Sequence, residues 1–153
     1  MKNILILALM ATVVGCSNSK IKSGDSSTTT SDSTAKPSQY PLAVSFNSIC
    51  CGTVSPDFLK AFVRSFNEKN SYNIAANLAA GCGKEGEFDI LFKMPANESL
   101  NKKFGTELSA LVTSTDAKNK KANSSSGGLS ILENVRTADY SHCRLGIAAW
   151  PLQ

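Results

Sequence analysis

Soft-ligand and redox chemistry in this 153-residue chain rests on five cysteines and one histidine. The cysteines are Cys16, Cys50, Cys51, Cys82 and Cys143, and His142 stands directly beside the last of them. Thiolates and an imidazole hold zinc or copper(I). Two thiols make a disulfide, and a thiolate beside an imidazole is an activated nucleophile. Spacing weighs against part of this list. There is no C-x-x-C pair, the arrangement common to thiolate metal sites and to redox-active helix starts. Cys50 and Cys51 are neighbours, and neighbouring side chains on a strand point to opposite faces. They are therefore poorly placed to share one metal, and a bond between them closes a strained eight-membered ring. Each of the two is expected to find a partner elsewhere.

Hydrolytic chemistry has less to work with. Any Ser-His-Asp or Cys-His arrangement must run through His142, and no G-x-S-x-G context accompanies it. Glu85, Glu87 and Asp89 supply carboxylates, but alternation along their strand places Glu87 and Asp89 on its outer face. Gly81-Cys82-Gly83-Lys84-Glu85-Gly86 is rich in glycine yet lies in a hairpin, whereas a phosphate cradle needs a helix start behind it. No enzyme motif emerges, and no cofactor is called for.

The first residues place the protein. Lys2 precedes an apolar run from Ile4 to Val14, too short for a permanent membrane span and laid out as a secretory signal. The run ends Val13-Val14-Gly15-Cys16, which resembles the lipobox of bacterial lipoproteins, with Val where Leu is commoner. That resemblance implies a signal peptide over residues 1–15, diacylation of Cys16, and an anchor in the membrane through lipid alone. Acyl chains contribute about 0.8 kcal/mol per buried methylene, so two or three hold firmly. Ser17 stands where Asp often signals inner-membrane retention in this class, which implies an outer-membrane address in the cell envelope.

Residues 17–39 form a Ser/Thr-rich stretch in which only Ile21 and Ala35 are apolar. It cannot bury enough surface to offset its ordering entropy and is expected to be a tether reaching several tens of ångströms, at about 5–6 Å times the square root of its length. Residues 40–153 are one domain's worth of chain. The net charge of +4 includes Lys2 and drops by one with the signal. Lys102, Lys103, Lys118, Lys120 and Lys121 are interleaved with Glu107 and Asp116, the pattern of a solvated helix face rather than a nucleic-acid surface.

The domain's elements follow from periodicity. Leu42 to Cys50 alternates as a strand. Ser55-Pro56 opens a helix whose stripe is Phe58, Leu59, Phe62, Val63 and Phe66. Ile74 to Ala80 and Glu87 to Met94 are strands joined by the Gly-rich turn. A second helix starts near Glu98, carries Leu100, Phe104, Leu108, Leu111 and Val112, and frays into a polar run. Cys143 to Trp150 is taken as the last strand, and Leu129 to Val135 is left open between a strand, a helical turn and a lead-in. Strand, helix, strand, strand, helix, strand is the order of an α+β, ferredoxin-like split βαβ sandwich: a four-stranded antiparallel sheet with two helices on one face.

In that topology Cys50, Cys51, Cys82 and Cys143 fall at the same end of the sheet. The last strand neighbours the first, so Cys51–Cys143 with Cys50–Cys82 is the favoured pairing, ahead of the exchanged pair. Export and an even count favour two structural disulfides. The alternative is a zinc or copper site made by Cys50, Cys51, Cys82, Cys143 and His142. The functional expectation is a lipid-anchored, disulfide-stapled interaction module for an envelope protein, peptide or glycan. Its partner surface is expected on the sheet face away from the helices, with Ser45, Asn47, Cys51, Leu91 and Trp150.

Overall fold

The computed structural model describes residues 40–153 apart from residue 51 and residues 124–126. The expected lipobox at Cys16, the expected tether over residues 17–39 and Cys51 therefore lie outside the described residues. The chain runs β1 (Tyr40–Phe46), α1 (Asp57–Asn70), β2 (Ala75–Ala80), β3 (Phe88–Lys93), α2 (Glu98–Ala122), β4 (Leu129–Val135) and β5 (Ile147–Ala149), with a 3-10 turn at Thr137–Tyr140 before β5. Five strands form one sheet in the order β4-β1-β3-β2-β5, every pair antiparallel. Among the described residues no helix is long and apolar enough to cross a membrane.

Two features of α1 fix its position. Leu59, Val63 and Phe66 are buried along one stripe, as their spacing requires. At its far end Ser71 turns left-handed at φ 47°, and Asn67 bonds both the N–H and the C=O of Ile74, at 2.9 and 3.0 Å. That side-chain clamp delivers the chain into β2. The second helix starts where Asn97 accepts the N–H of Leu100 at 3.0 Å, an N-cap. It does not fray where the polar residues begin but continues to Ala122. The extension has a cause in Asp116, which accepts from Lys120 Nζ at 2.6 Å and from the Leu129 N–H at 2.9 Å. One carboxylate thus holds an i,i+4 ion pair and ties the helix to the start of β4.

Both helices cover one face of the sheet. Val44 and Phe46 of β1, Ala76 of β2, and Ile90 and Phe92 of β3 meet Leu59, Val63, Phe66, Phe104, Leu108 and Val112 in one buried cluster. Phe104 is its centre, packed edge-on against Phe66 and Phe92 and stacked on Phe62.

The sheet differs from the expected one at its edges. The fourth strand is Leu129–Val135, beside β1, and the Cys143–Trp150 stretch supplies a fifth strand at the opposite edge, beside β2. Backbone conformation explains the exchange. Gly146 has φ 64°, outside strand geometry, so only Ile147–Ala149 of that stretch pairs. Gly127 lets the β4 lead-in press against the Asn47 carbonyl, where a Cβ would overlap it, and the Asn47 N–H reaches Gly128 O at 2.9 Å. Residues after β4 then cross the second face of the sheet to reach the other edge. Tyr140 and Cys143 are buried there with Tyr40, Ala43, Ala79, Leu91 and Val135. Tyr40 and Val135 join this face although Leu42 belongs to the other. The switch falls at Pro41 and its opposite number Asn134, which has φ 54°.

Candidate functional site

Sequence places the four domain cysteines at one end of the sheet; the strand exchange decides how they meet. Cys82 follows β2, and Cys143 precedes β5, which is antiparallel to β2. The two are therefore brought together, and they form a disulfide with Cα atoms 4.0 Å apart. The expected Cys51–Cys143 and Cys50–Cys82 bridges are excluded by this bond, because each needs a sulfur that is already used. The error lies in the strand order: a fourth strand beside β1 would have delivered Cys143 to Cys50 and Cys51. Cys50 is exposed, beyond the end of β1.

Backbone hydrogen bonds assemble this corner as well as the disulfide does. Ala80 N–H donates to Gly146 O at 3.2 Å, Arg144 N–H to Gly81 O at 3.0 Å, and Leu145 N–H to Ala80 O at 3.1 Å. Cys82 N–H donates to Glu87 O at 3.1 Å, and Cys143 N–H to Tyr140 O at 3.0 Å. Gly81, at φ 71°, makes the turn that allows this. His142 is exposed, and its Nε2 lies 3.7 Å from Cys143 Sγ. Cys82 Sγ, Cys143 Sγ and a ring nitrogen of His142 all lie within 4.8 Å of one another. Gly81, Cys82, Gly83, Lys84, His142 and Arg144 line a shallow cleft at this corner. Glu85 is not among them, so no carboxylate joins the histidine there.

Asp89 departs from its expected solvated position. It is 9% exposed, covered by the crossing segment. Burial raises the pKa of the adjoining Tyr140 phenol well above its ordinary value, and the neighbouring Asp89 charge raises it further. Tyr140 is therefore neutral across the physiological range. Next to this pair Asn77 Nδ2 donates to Tyr40 Oη at 2.9 Å. The sole sequence signal for this polar group was an acid inside the run Phe88–Phe92.

The expected partner surface is closed at two of its positions, while Asn47 is exposed and Ser45 half-buried. Leu91 is fully buried under the crossing segment, and Trp150 lies in the helix-side core, with Lys60 Nζ 5.2 Å from its ring centroid. What is open is a groove of about 950 Å³ beside α2, where Gly105, Ser109, Thr113 and Ala117 face Leu42 and Glu133. Its outer wall is the end of β4, which is an edge strand. The lysine-rich face of α2 carries the pairs Lys103–Glu107 at 4.0 Å and Lys120–Asp116 at 2.6 Å, as a solvated face would.

No known family, curated protein or solved structure matches this chain.

Proposed function

We propose that this protein is an envelope lipoprotein whose domain works as a binding module, held on the membrane by lipid at Cys16 and standing off it on residues 17–39. The observation that carries this reading is the Cys82–Cys143 disulfide, a crosslink suited to an oxidising compartment, in a chain whose first residues resemble a lipoprotein signal. The first four strands keep the order of the ferredoxin-like sandwich, β4-β1-β3-β2, and we read the fifth as an addition to that plan. The groove beside α2 is the surface assigned to the partner. Its small side chains allow close approach, and β4, a sheet edge among the described residues, offers backbone groups to an extended peptide.

Metabolic labelling with an alkyne fatty acid tests the anchor. The full chain is expected to take up label and sediment with membranes, and Cys16→Ser to do neither; an unlabelled wild-type chain would sink the reading. Photo-crosslinkers at Ser109 and Thr113, compared with one at exposed Lys69 on α1, test the groove. Crosslinks from both groove positions to the same envelope polypeptide, absent from Lys69, support it, and equal yields from all three positions refute it.

A further inference from the structure

The cystine corner is assembled in a way that does not need the disulfide. Three backbone hydrogen bonds join Ala80 and Gly81 to Arg144, Leu145 and Gly146 on the β2–β5 side of it. Cutting the S–S bond therefore leaves two thiols facing each other, with an imidazole beside them. Around a tetrahedral zinc ion with Zn–S about 2.3 Å and Zn–N about 2.0–2.1 Å, neighbouring ligand atoms stand about 3.5–3.8 Å apart. The Cys143 Sγ to His142 Nε2 separation, 3.7 Å, already has that value. The distance between the two sulfurs must grow, and Cys82 Sγ, now within 4.8 Å of the His142 ring nitrogen, must settle at the same spacing from it. Cys82 sits between Gly81 and Gly83, where the backbone has the freedom to open.

We propose that the reduced corner binds one zinc ion through Cys82 Sγ, Cys143 Sγ and His142 Nε2, and that forming the disulfide expels it. This inference does not depend on the anchor or on the groove. The chemistry balances with an external dithiol as reductant. It passes two electrons and two protons to the Cys82–Cys143 bond and becomes a disulfide itself. Zinc then displaces the two thiol protons, and two thiolates with one divalent ion are neutral overall, so Lys84 and Arg144 at the rim do not oppose it. Three protein ligands leave the fourth position open to water or to a fourth donor. The absence of C-x-x-C is no obstacle, because the ligands come from two chain segments held by the β2–β5 pairing.

The test uses the whole mature chain carrying Cys16→Ser, oxidised or reduced, titrated anaerobically with Zn²⁺ against a chromophoric chelator. Cobalt(II) is substituted to count thiolates from the charge-transfer band. The reduced chain is expected to take one ion with two sulfur ligands, and the oxidised chain none. Cys82→Ser should abolish binding. His142→Ala should weaken it at least about tenfold, since losing even an outer-shell partner of a metal ligand costs that much. Cys50→Ser should leave it unchanged. Binding that survives Cys82→Ser, is lost in Cys50→Ser, or is equal in the oxidised chain overturns the proposal. If reduction unfolds the chain, refolding by one equivalent of zinc in a His142-dependent manner supports it, and failure to bind overturns it.

Discussion

Asp116 shows how one side chain sets the length of a helix. The hydrogen bond from Lys120 holds its pKa below the ordinary carboxylate value; burial opposes this, and the Leu129 N–H and the Lys120 charge lower it further. Because the folded-state value is lowered, the stabilisation is present above the unfolded pKa of about 4 and is lost as pH falls through the folded value. The group is close to the surface, so the pair and the backbone bond together contribute about 0.5–1 kcal/mol. Asp116→Asn is expected to lower the unfolding free energy from urea titration at pH 7 by that amount and to approach wild type at pH 3. A gap that does not narrow on acidification would show that the charge is not the cause. At this scale the sequence was only partly readable. The stripe of α1 follows from local rules, but its N-cap position is Pro56 with no side-chain cap bond rather than Ser55, and Asn97 caps α2 without having been singled out. The burial of Asp89 depends on the distant segment around Tyr140, and an acid within an apolar run hints at burial without saying what covers it.

Among the elements, β5 has the least length and the most consequence. It contributes three residues, yet it seats Trp150, whose N–H donates to Ala76 O at 2.9 Å and whose ring is buried at 8% exposure. Trp150→Ala removes a large core side chain and is expected to cost about 3–5 kcal/mol, measured as a fall in the chemical-denaturation midpoint followed by circular dichroism. A change below 1 kcal/mol would mean that β5 does not hold the sheet edge. The two helices, β1, β2 and β3 were legible because each has an apolar period matching its geometry. Leu129–Val135 was not, since Leu132 and Glu133 fall out of phase with its alternation, and the strand is fixed by pairing with β1 rather than by its own pattern. That ambiguity spread to the cysteines, whose partners depend on which edge each strand takes.

Across the whole domain, the disulfide bridges a sequence separation of 61 residues. A crosslink over a loop of that size limits the unfolded chain and contributes about 2–4 kcal/mol. Cys143→Ser is expected to lower unfolding free energy within that range while leaving the far-ultraviolet spectrum of the native chain unchanged, because the backbone bonds around the corner remain. Loss of the native spectrum would instead make the disulfide a condition of folding. The location of β1 has a further consequence, in the order of events. It lies between β3 and β4, so its two partners come from residues 88–93 and 129–135, and β2–β3 is the one strand pair joined by a short turn. Distant pairings are slow to form, because loop entropy must be met before contacts repay it. The hairpin is therefore the natural first piece, and Tyr40–Phe46 waits unpaired until β3 is formed and much of the later chain is available. A domain built this way stays open for longer than one that folds from its first strand outward.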